Sequence, residues 1–551
     1  MKASRNSGGD AANRSAKGAS HDAPKLTSPR AAGSPEVLRY WIAHHAGRNP
    51  DKAFVHSIEQ NKTLTYSQLH EVTIRLAGYL ERAGIGANDR VALLSNNSIE
   101  HLAAYLGVMA YGATVCTINV EMNAAYFEEI LNGLAPRLVL FEKEVGFEHL
   151  IDQTTGKWSA LGDWQPDGGG EGLFAELAGA EASDVSETSA GRNDDACIFF
   201  TSGTSAKPKG VILSFGELLD NVEPIADAFG MTVDDRVLDF RSYNWASAQI
   251  QSCLAPLSRG ATVVMARKFS QSRFFGWVQE HRATITAGNP TTISMLMNLT
   301  AEISAADLPT LRFVTSSSAP LLAEEGKRFE ARFGIPVAQG YGASEVGWIA
   351  GSNEAICRIG SVGKPLPYHD LRIVDEDGQA LPPGKVGLVE LGNDPGRSYR
   401  YATENGSIKV NAKGRIRTGD LGRLDDDGFL FITGREKDLI IRGGVNIAPV
   451  EINQILMQRP EIAEAATIGV PDKIYGEEVI SYVVIRPGEH ITDAMLIAHC
   501  RKSLAAFKTP KRIVFRDSLP KTARGKMDRN ALIDDWKRQR IDLEAPTNPR
   551  G

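Results

Sequence analysis

Hydrophobic and polar positions follow two different periods along most of the chain. Residues 65–84, TYSQLHEVTIRLAGYLERAG, place apolar side chains at helical spacing, which predicts an amphipathic helix. Short apolar runs such as RVALLS at 90–95 and ATVCTI at 113–118 instead have the length and β-branched content of buried strands. Strands that alternate with helices in this way are typical of βαβ units around a parallel sheet.

The same alternation returns after a polar, loop-like segment near 155–190. Apolar runs there, such as DACIFF and ATVVMA, predict a second α/β region. From about 355 to 432, turns rich in Gly, Pro and Asp separate short strands, a pattern that favours an antiparallel, barrel-like part. A last unit after Gly434 has helices and strands of its own and reads as α+β.

The predicted fold class is therefore α/β, with a large N-terminal domain of stacked βαβ sheets, a β-barrel-like subdomain and a small α+β C-terminal domain. The start of the chain is rich in Ser, Ala and Gly and has few large apolar side chains, so burial cannot offset its ordering entropy. A transit peptide is the alternative for this segment, which Asp10 and Asp22 disfavour. The predicted boundaries are a disordered tail at 1–35, the N-terminal domain at 36–434, the C-terminal domain at 435–536 and a polar tail at 537–551.

Charge and cysteine usage narrow the class of protein. The chain has 61 Lys and Arg against 67 Asp and Glu, a formal net charge of -6, so we expect no nucleic-acid partner. Its five cysteines are scattered without paired spacing, which favours reduced thiols in a cytoplasmic protein. No apolar run reaches the roughly 18 residues of a membrane span, so we expect none.

A loop of small and hydroxyl residues, TSGTSAKPKG at 201–210, follows the apolar run IFF. Its hydroxyls, backbone N–H groups and two lysines could all face one anion. It lacks the Walker A spacing and the GxGxxG pattern, and in isolation a solvated surface loop explains it equally well. The candidate phosphate-binding residues are Thr201, Ser202, Gly203, Thr204, Ser205, Lys207 and Lys209.

This loop resembles the phosphate-binding signature of the adenylate-forming superfamily, in particular its acyl-CoA synthetase and acid:CoA ligase branch. Further stretches resemble the family's other signatures in the expected order, and six ordered matches make chance an unsatisfactory explanation. These stretches are SSSAPL at 316–321, QGYGASE at 339–345, TGDLG at 418–422, GREKDLIIRGGVNIAPVEI at 434–452 and LPKTARGKMDR at 519–529.

The resemblance implies a role for each signature in binding ATP. Glu345 would ligate Mg²⁺, because hard cations prefer carboxylate oxygens, and Ser344 would donate to the α-phosphate. Asp420 would accept the ribose hydroxyls, and Lys526 would stabilise transition-state charge. The remaining implied ATP contacts are Tyr341 against the adenine, Ser317, Ser318, Ala319 and Pro320 around it, and Arg435 near the ribose or phosphates.

The resemblance also implies a mobile C-terminal domain that rotates between two poses. Lys437 falls at the hinge position, and the loop containing Gly443 and Gly444 would approach coenzyme A, although a plain glycine turn explains that loop equally well. The implied acyl pocket contains Asn244, Trp245, Gln249, Asn289, Gly340 and Ile349.

The sequence departs from the family pattern at Ala206, at Phe215, at Arg415 and in RSYN at 241–244. Residues 241–260 contain no Asp or Glu, which disfavours an amino-acid substrate, whose ammonium group needs a buried anion. The acid itself stays open, because Trp245 favours an apolar or aromatic acid and Asn244 a polar one.

The resulting hypothesis is an ATP-dependent acid:CoA ligase that forms an acyl-AMP with release of pyrophosphate and then an acyl-CoA thioester. Its cofactors would be ATP, Mg²⁺ and coenzyme A, its partners a small carboxylic acid and CoA, and its assembly a monomer or homodimer. Two alternatives are transfer of the acyl group to a separate carrier protein and a nucleotide-binding relative without catalysis.

Overall fold

The computed structural model describes most of the chain outside its two ends. The described residues are 33–122, 125–154, 156–166, 168–180, 188–201, 209–300, 302–392, 400–402, 408–410, 415–522 and 526–544.

Helices and strands alternate through the first part of the chain, as the hydrophobic pattern predicts. Their bounds are α1 (Pro35–Arg48), β1 (Ala53–Ser57), β2 (Lys62–Thr65), α2 (Tyr66–Arg82), β3 (Arg90–Leu94), α3 (Ile99–Tyr111), β4 (Thr114–Thr117), α4 (Ala125–Leu134), β5 (Leu138–Phe141), β6 (Lys157–Ala160), α5 (Leu173–Gly179), β7 (Asp195–Thr201), β8 (Lys209–Ser214), α6 (Phe215–Leu219), α7 (Val222–Ala228), β9 (Arg236–Asp239), α8 (Ala246–Gln249), α9 (Ala255–Arg259), β10 (Thr262–Met265), α10 (Phe274–Glu280), β11 (Ile285–Thr286), α11 (Pro290–Met297), β12 (Phe313–Ser316), α12 (Ala323–Phe333), β13 (Val337–Ala343) and β14 (Gly347–Gly351).

The second part is richer in strands. It contains β15 (Lys364–Pro365), β16 (Leu371–Val374), β17 (Gly387–Leu391), β18 (Arg400–Ala402), β19 (Ile408–Val410), β20 (Ile416–Leu424), β21 (Leu430–Arg435), β22 (Ile440–Arg442), β23 (Val445–Ile447), α13 (Pro449–Met457), β24 (Ile462–Asp472), β25 (Gly476–Ile485), α14 (Asp493–Ser503), β26 (Arg512–Phe515) and α15 (Arg529–Glu544).

Two large sheets form the N-terminal unit. One has the strand order β19-β18-β8-β7-β4-β3-β5-β6, and the other β15-β14-β13-β12-β11-β9-β10-β1-β2. The second sheet includes β1 from the start of the chain. Val55 of β1 pairs in parallel with Val263 of β10, about 200 residues later. The two α/β regions of the sequence therefore exchange strands.

Helix α3 lies in the interior of this unit, and every one of its residues is buried. Its sequence is mostly apolar, and its buried Glu100 and His101 are hydrogen-bonded to Gln60 and Ser95, which suits a helix covered all round. Ser98 begins it as an N-cap by accepting from the backbone N–H of His101, and Gly112 ends it.

Two smaller sheets complete the fold, one antiparallel and one mixed, because β26 pairs in parallel with β25. The predicted barrel-like part is the sheet β16-β17-β20-β21, and the C-terminal unit is built on the order β23-β22-β25-β24 with β26 beside β25. Helix α15 runs to Glu544, whereas the predicted polar tail begins at 537. Among the described residues, no helix combines the length and apolarity needed to cross a membrane.

We expect Gly112→Ala to lower the free energy of unfolding by about 1–3 kcal/mol, because alanine is strained at positive φ. Gly112 has φ +102°, and an added Cβ would lie 2.0 Å from Thr188 Oγ1. The matched control is Gly47→Ala in α1, where an added Cβ meets nothing within 4 Å. Denaturant unfolding of both variants measures the difference, and equal stabilities would contradict the prediction.

Candidate functional site

A buried carboxylate, Asp420, is the centre of the candidate site. It lies in the interior of β20, directly across from Arg435 of β21, rather than in a free turn. The Arg435 Nε donates to Asp420 Oδ1 at 2.7 Å, and the Tyr341 hydroxyl donates to Oδ2 at 2.5 Å. The Asp420 side chain is 6% exposed and that of Arg435 is 47% exposed, so the pair points from the core toward solvent.

The charges of this cluster support one another. Burial raises the pKa of Tyr341 well above its usual value, and the nearby Asp420 carboxylate raises it further, so the phenol stays a neutral donor. Burial alone would lower the pKa of Arg435, but the ion pair with Asp420 outweighs it and the net shift is upward. Each Asp420 oxygen keeps acceptor capacity for a further donor, such as a ribose hydroxyl.

A second carboxylate, Glu345, stands in the turn between β13 and β14, next to Ser344. The Tyr401 hydroxyl of β18 donates to Glu345 Oε1 at 3.1 Å. Lys209, the first residue of β8, places its Nζ 5.8 Å from the centre of the Tyr401 ring. Tyr401 therefore links the end of the predicted phosphate loop to the predicted metal ligand.

The predicted phosphate loop is bracketed by described residues. Thr201 ends β7 and pairs with Lys209 of the antiparallel β8, so the loop connects two hydrogen-bonded neighbours. The predicted contacts between these two, Ser202, Gly203, Thr204, Ser205 and Lys207, and the departure at Ala206 lie outside the described residues.

The predicted adenine segment, residues 317–320, follows β12. Ser318 has φ +71°, a left-handed conformation that non-glycine residues adopt rarely and that clusters at functional sites. Ser317 is buried, while Ser318 and Pro320 are exposed and Ala319 is partly exposed. The segment thus presents small side chains and strained backbone at the surface, over a buried serine.

Beneath this segment lies a buried ion pair that sequence reasoning missed. The Arg241 Nη2 donates to Asp239 Oδ2 at 2.7 Å, and the two side chains are 4% and 0% exposed. Arg241 also donates from Nη1 to Ser317 Oγ at 3.2 Å and from Nη2 to Gln251 Oε1 at 3.0 Å. Asp239 lies just before residues 241–260, the segment without Asp or Glu. Its negative charge is neutralised by Arg241.

The predicted acyl-pocket residues differ in how many of their polar atoms already form hydrogen bonds within the protein. The Gln249 amide donates to Thr117 Oγ1 at 2.9 Å and to the Tyr243 carbonyl at 2.8 Å. Asn289 caps α11 by accepting from the Thr292 N–H at 2.8 Å. The polar groups of these two residues thus hold the fold together.

Asn244 differs from them in its hydrogen bonding. Its Nδ2 donates to the Ser95 carbonyl at 3.0 Å, while its buried Oδ1 has no partner among the described residues. The other predicted pocket residues are partly buried Trp245 and buried Gly340 and Ile349. Their role in binding an acid stays a prediction.

The C-terminal unit carries the remaining predicted residues. Lys437 lies in a short 3₁₀ turn, Glu436–Asp438, that follows β21 directly. Gly443 and Gly444 form the hairpin between β22 and β23, with φ values of +58° and +82°. Lys526 is exposed, and its backbone N–H donates to Thr522 Oγ1 at 3.2 Å.

Two departures from the family pattern have structural explanations. Phe215 is fully buried and belongs to the main hydrophobic core, so an imidazole there would be costly. Arg415 binds two carboxylates, with Nε donating to Glu390 at 2.5 Å and Nη1 donating to Asp370 at 2.7 Å. Both residues therefore serve packing or charge pairing.

The donor set fits a magnesium ion held mainly by its substrate. In the described part of the chain, no group of three or more His, Cys, Asp or Glu could enclose a metal. Mg²⁺ usually needs only one or two carboxylates, together with water and substrate phosphates. Glu345 could supply such a carboxylate.

Comparisons with known proteins cover both units. A family model described as "AMP-binding enzyme" matches residues 42–393, and one described as "AMP-binding enzyme C-terminal domain" matches residues 451–526. Sulfoacetate–CoA ligase of Cupriavidus necator is 34% identical over 91% of this chain and 98% of its own. Oxalate–CoA ligase of Arabidopsis thaliana is 32% identical over 90% and 98%. The crystal structure of ATP-bound MatB from Rhodopseudomonas palustris has a TM-score of 0.78 at 27% identity, over 91% and 99%.

We expect Arg241→Ala to lower the free energy of unfolding by about 3–5 kcal/mol, because it leaves the buried Asp239 charge without its partner. The double variant Asp239→Leu with Arg241→Met removes both charges at similar volume and should lose much less. Urea unfolding compares them. A double variant as unstable as the single one would show that the stability does not depend on charge pairing.

Proposed function

We propose, because the chain belongs to the AMP-binding enzyme family, that it is an ATP-dependent acid:CoA ligase. In the first half-reaction, a carboxylate oxygen of the acid attacks the α-phosphorus of ATP, the bond to the β-phosphate oxygen breaks, and pyrophosphate leaves. In the second, the deprotonated thiol of coenzyme A attacks the acyl carbonyl carbon, and AMP leaves as the thioester forms.

The Asp420 cluster is the observation that carries this proposal. Tyr341 and Arg435 each occupy one side of a carboxylate that is otherwise buried, which orients its free lone pairs. Two neighbouring ribose hydroxyls match such a paired acceptor. Asp420 therefore holds the ribose, while Arg435, half-exposed beside it, adds positive charge on the side of the phosphates.

Glu345 is the proposed ligand of Mg²⁺. A bound magnesium ion would neutralise phosphate charge and so let an anionic carboxylate approach. The Tyr401 hydroxyl donates to one oxygen of Glu345, and the other oxygen would ligate the ion. Ser344, the residue before Glu345, is the proposed donor to the α-phosphate.

Lys526 is the proposed source of positive charge in the transition state. A lysine on the C-terminal unit can enter and leave a site on the N-terminal unit when the C-terminal unit rotates about Lys437. The same rotation would bring the hairpin with Gly443 and Gly444 toward the pantetheine arm of coenzyme A. These two glycines have no Cβ atoms, so the backbone could approach the arm closely.

We expect Lys526→Ala to lower acid-dependent pyrophosphate exchange by at least about a hundredfold, because it removes a charge that acts in the transition state. The control is Lys537→Ala, whose side chain is 59% exposed and pairs with Asp534 of its own helix. The panel of acids includes sulfoacetate, oxalate and indoleacetate, the acids named for three relatives.

The same panel separates the alternatives. If no acid drives exchange in the wild-type chain, the ligase proposal fails, and ATP binding alone would then support a relative without catalysis. Exchange without consumption of coenzyme A would instead favour a carrier protein as the acyl acceptor.

We expect Tyr401→Phe to raise the Mg²⁺ concentration needed for half-maximal exchange by about 10–100-fold, because groups that orient a metal ligand contribute that much to metal affinity. Tyr368→Phe is the control, since it removes a hydroxyl that donates to the Glu217 carbonyl at 3.2 Å. An unchanged magnesium requirement in Tyr401→Phe would contradict the proposed role of Glu345 or its support by Tyr401.

A further inference from the structure

One arginine of the N-terminal unit binds the backbone of the C-terminal unit. Arg328 of α12 donates from Nη2 to the carbonyls of Met457 at 2.7 Å and Arg459 at 2.9 Å. It also donates from Nη1 to the carbonyl of Ile462 at 3.0 Å. These three acceptors lie at the end of α13 and the start of β24, so one side chain ties the two units together.

The end of α13 is a favourable place for this guanidinium. The last carbonyls of a helix lack partners within the helix, and the helix dipole places partial negative charge there. The planar fork of arginine can satisfy several carbonyls at once, which a lysine ammonium cannot do in the same geometry. Leu322, just before α12, adds an apolar contact with the core of the C-terminal unit.

Glu325 of α12 adds a titratable carboxyl to the same contact. Its Oε2 accepts from the Leu322 N–H at 3.2 Å. The groups that face it are Glu464 of β24, Lys521 and Arg328, with Arg486 close by. Lys521 is engaged with Glu464 at 3.0 Å, so the two carboxylates share one ammonium.

The hairpin proposed to approach coenzyme A points to solvent in this arrangement. Apolar side chains around Gly443 and Gly444 are exposed, among them Ile441 at 55% and Val445 at 41%. An added Cβ at Gly444 meets nothing within 4 Å. A pose that delivers this hairpin to the thioester step must cover it, so the observed pose is not the thioester-forming one.

We infer that Arg328 is a positioning residue that holds the C-terminal unit in the pose for acyl-adenylate formation, and that its three hydrogen bonds must break before thioester formation. The inference rests on the proposed function for its assignment of the half-reactions. The contact itself rests on the described geometry alone.

The raised pKa of Glu325 predicts that the contact depends on pH. Burial raises its pKa from 4.5 to about 7, and repulsion from Glu464 adds to the shift. A carboxyl with a raised pKa in the docked pose favours docking when protonated. Docking is therefore strongest below about pH 4.5, weakens as pH rises toward 7, and stays weakened above it. Glu325→Gln should remove this dependence.

The test separates the two half-reactions in the full-length chain. Acid-dependent pyrophosphate exchange reports adenylate formation, and thioester formation from pre-formed acyl-AMP and coenzyme A reports the second step. We expect Arg328→Ala to lower exchange by at least about tenfold while the second step is unchanged or faster, because three bonds to a charged group are lost. Arg328→Lys should fall in between. Equal losses in both steps, or none, would overturn the inference.

Lys327→Ala is the matched control on the same helix, because Lys327 is exposed and pairs only loosely, at 3.5 Å, with Glu324. Small-angle X-ray scattering gives a readout that needs no activity. An increased radius of gyration in Arg328→Ala, with the Lys327→Ala value unchanged, supports the interdomain contact even if no acid drives exchange in the wild-type chain. An unchanged radius overturns it, whatever the activity.

Discussion

The pairing of the Asp420 carboxylate constrains the rest of the structure. A buried charge is tolerated only when it is paired and hydrogen-bonded, and here the partners come from different elements: Tyr341 from a large sheet and Arg435 from the neighbouring strand of a smaller one. This requirement joins the two sheets at one point. The same pairing holds Arg435, the last residue of β21. The 3₁₀ turn that contains Lys437, the proposed hinge, begins at the next residue.

The C-terminal unit is thus attached in two physically different ways. Its covalent connection leaves β21 beside the Asp420 pair, and one noncovalent connection, next to the apolar contact of Leu322, runs through Arg328 to the end of α13. The first can absorb rotation through a few backbone angles. The second cannot, because hydrogen bonds to three carbonyls depend on position. Any large rotation of the unit must break the second connection while it keeps the first, and the proposed role of Arg328 follows from this difference.

The fold class and the ordered signatures could be predicted because they depend on local periodicity and local motifs. The antiparallel sheet β16-β17-β20-β21 and the separate C-terminal unit follow directly from turn residues and short apolar runs. The exchange of strands between the two α/β regions could not be predicted, since nothing local to Val55 indicates its pairing with Val263. Tyr401 was missed for the same reason: its partner Glu345 is distant in sequence.

The sequence by itself determined the residue types at the candidate site, because a hydroxyl-rich loop, a carboxylate and a lysine each have the same chemistry wherever the fold places them. Only the tertiary structure decided which of these groups are held. In the fold, Asp420 is a paired and oriented acceptor. Asp239 and Arg241 form a buried ion pair that binds Ser317, and the Gln249 amide is hydrogen-bonded within the core. The physical reason is that burial and pairing are properties of surroundings, and those surroundings are assembled from segments far apart in the chain.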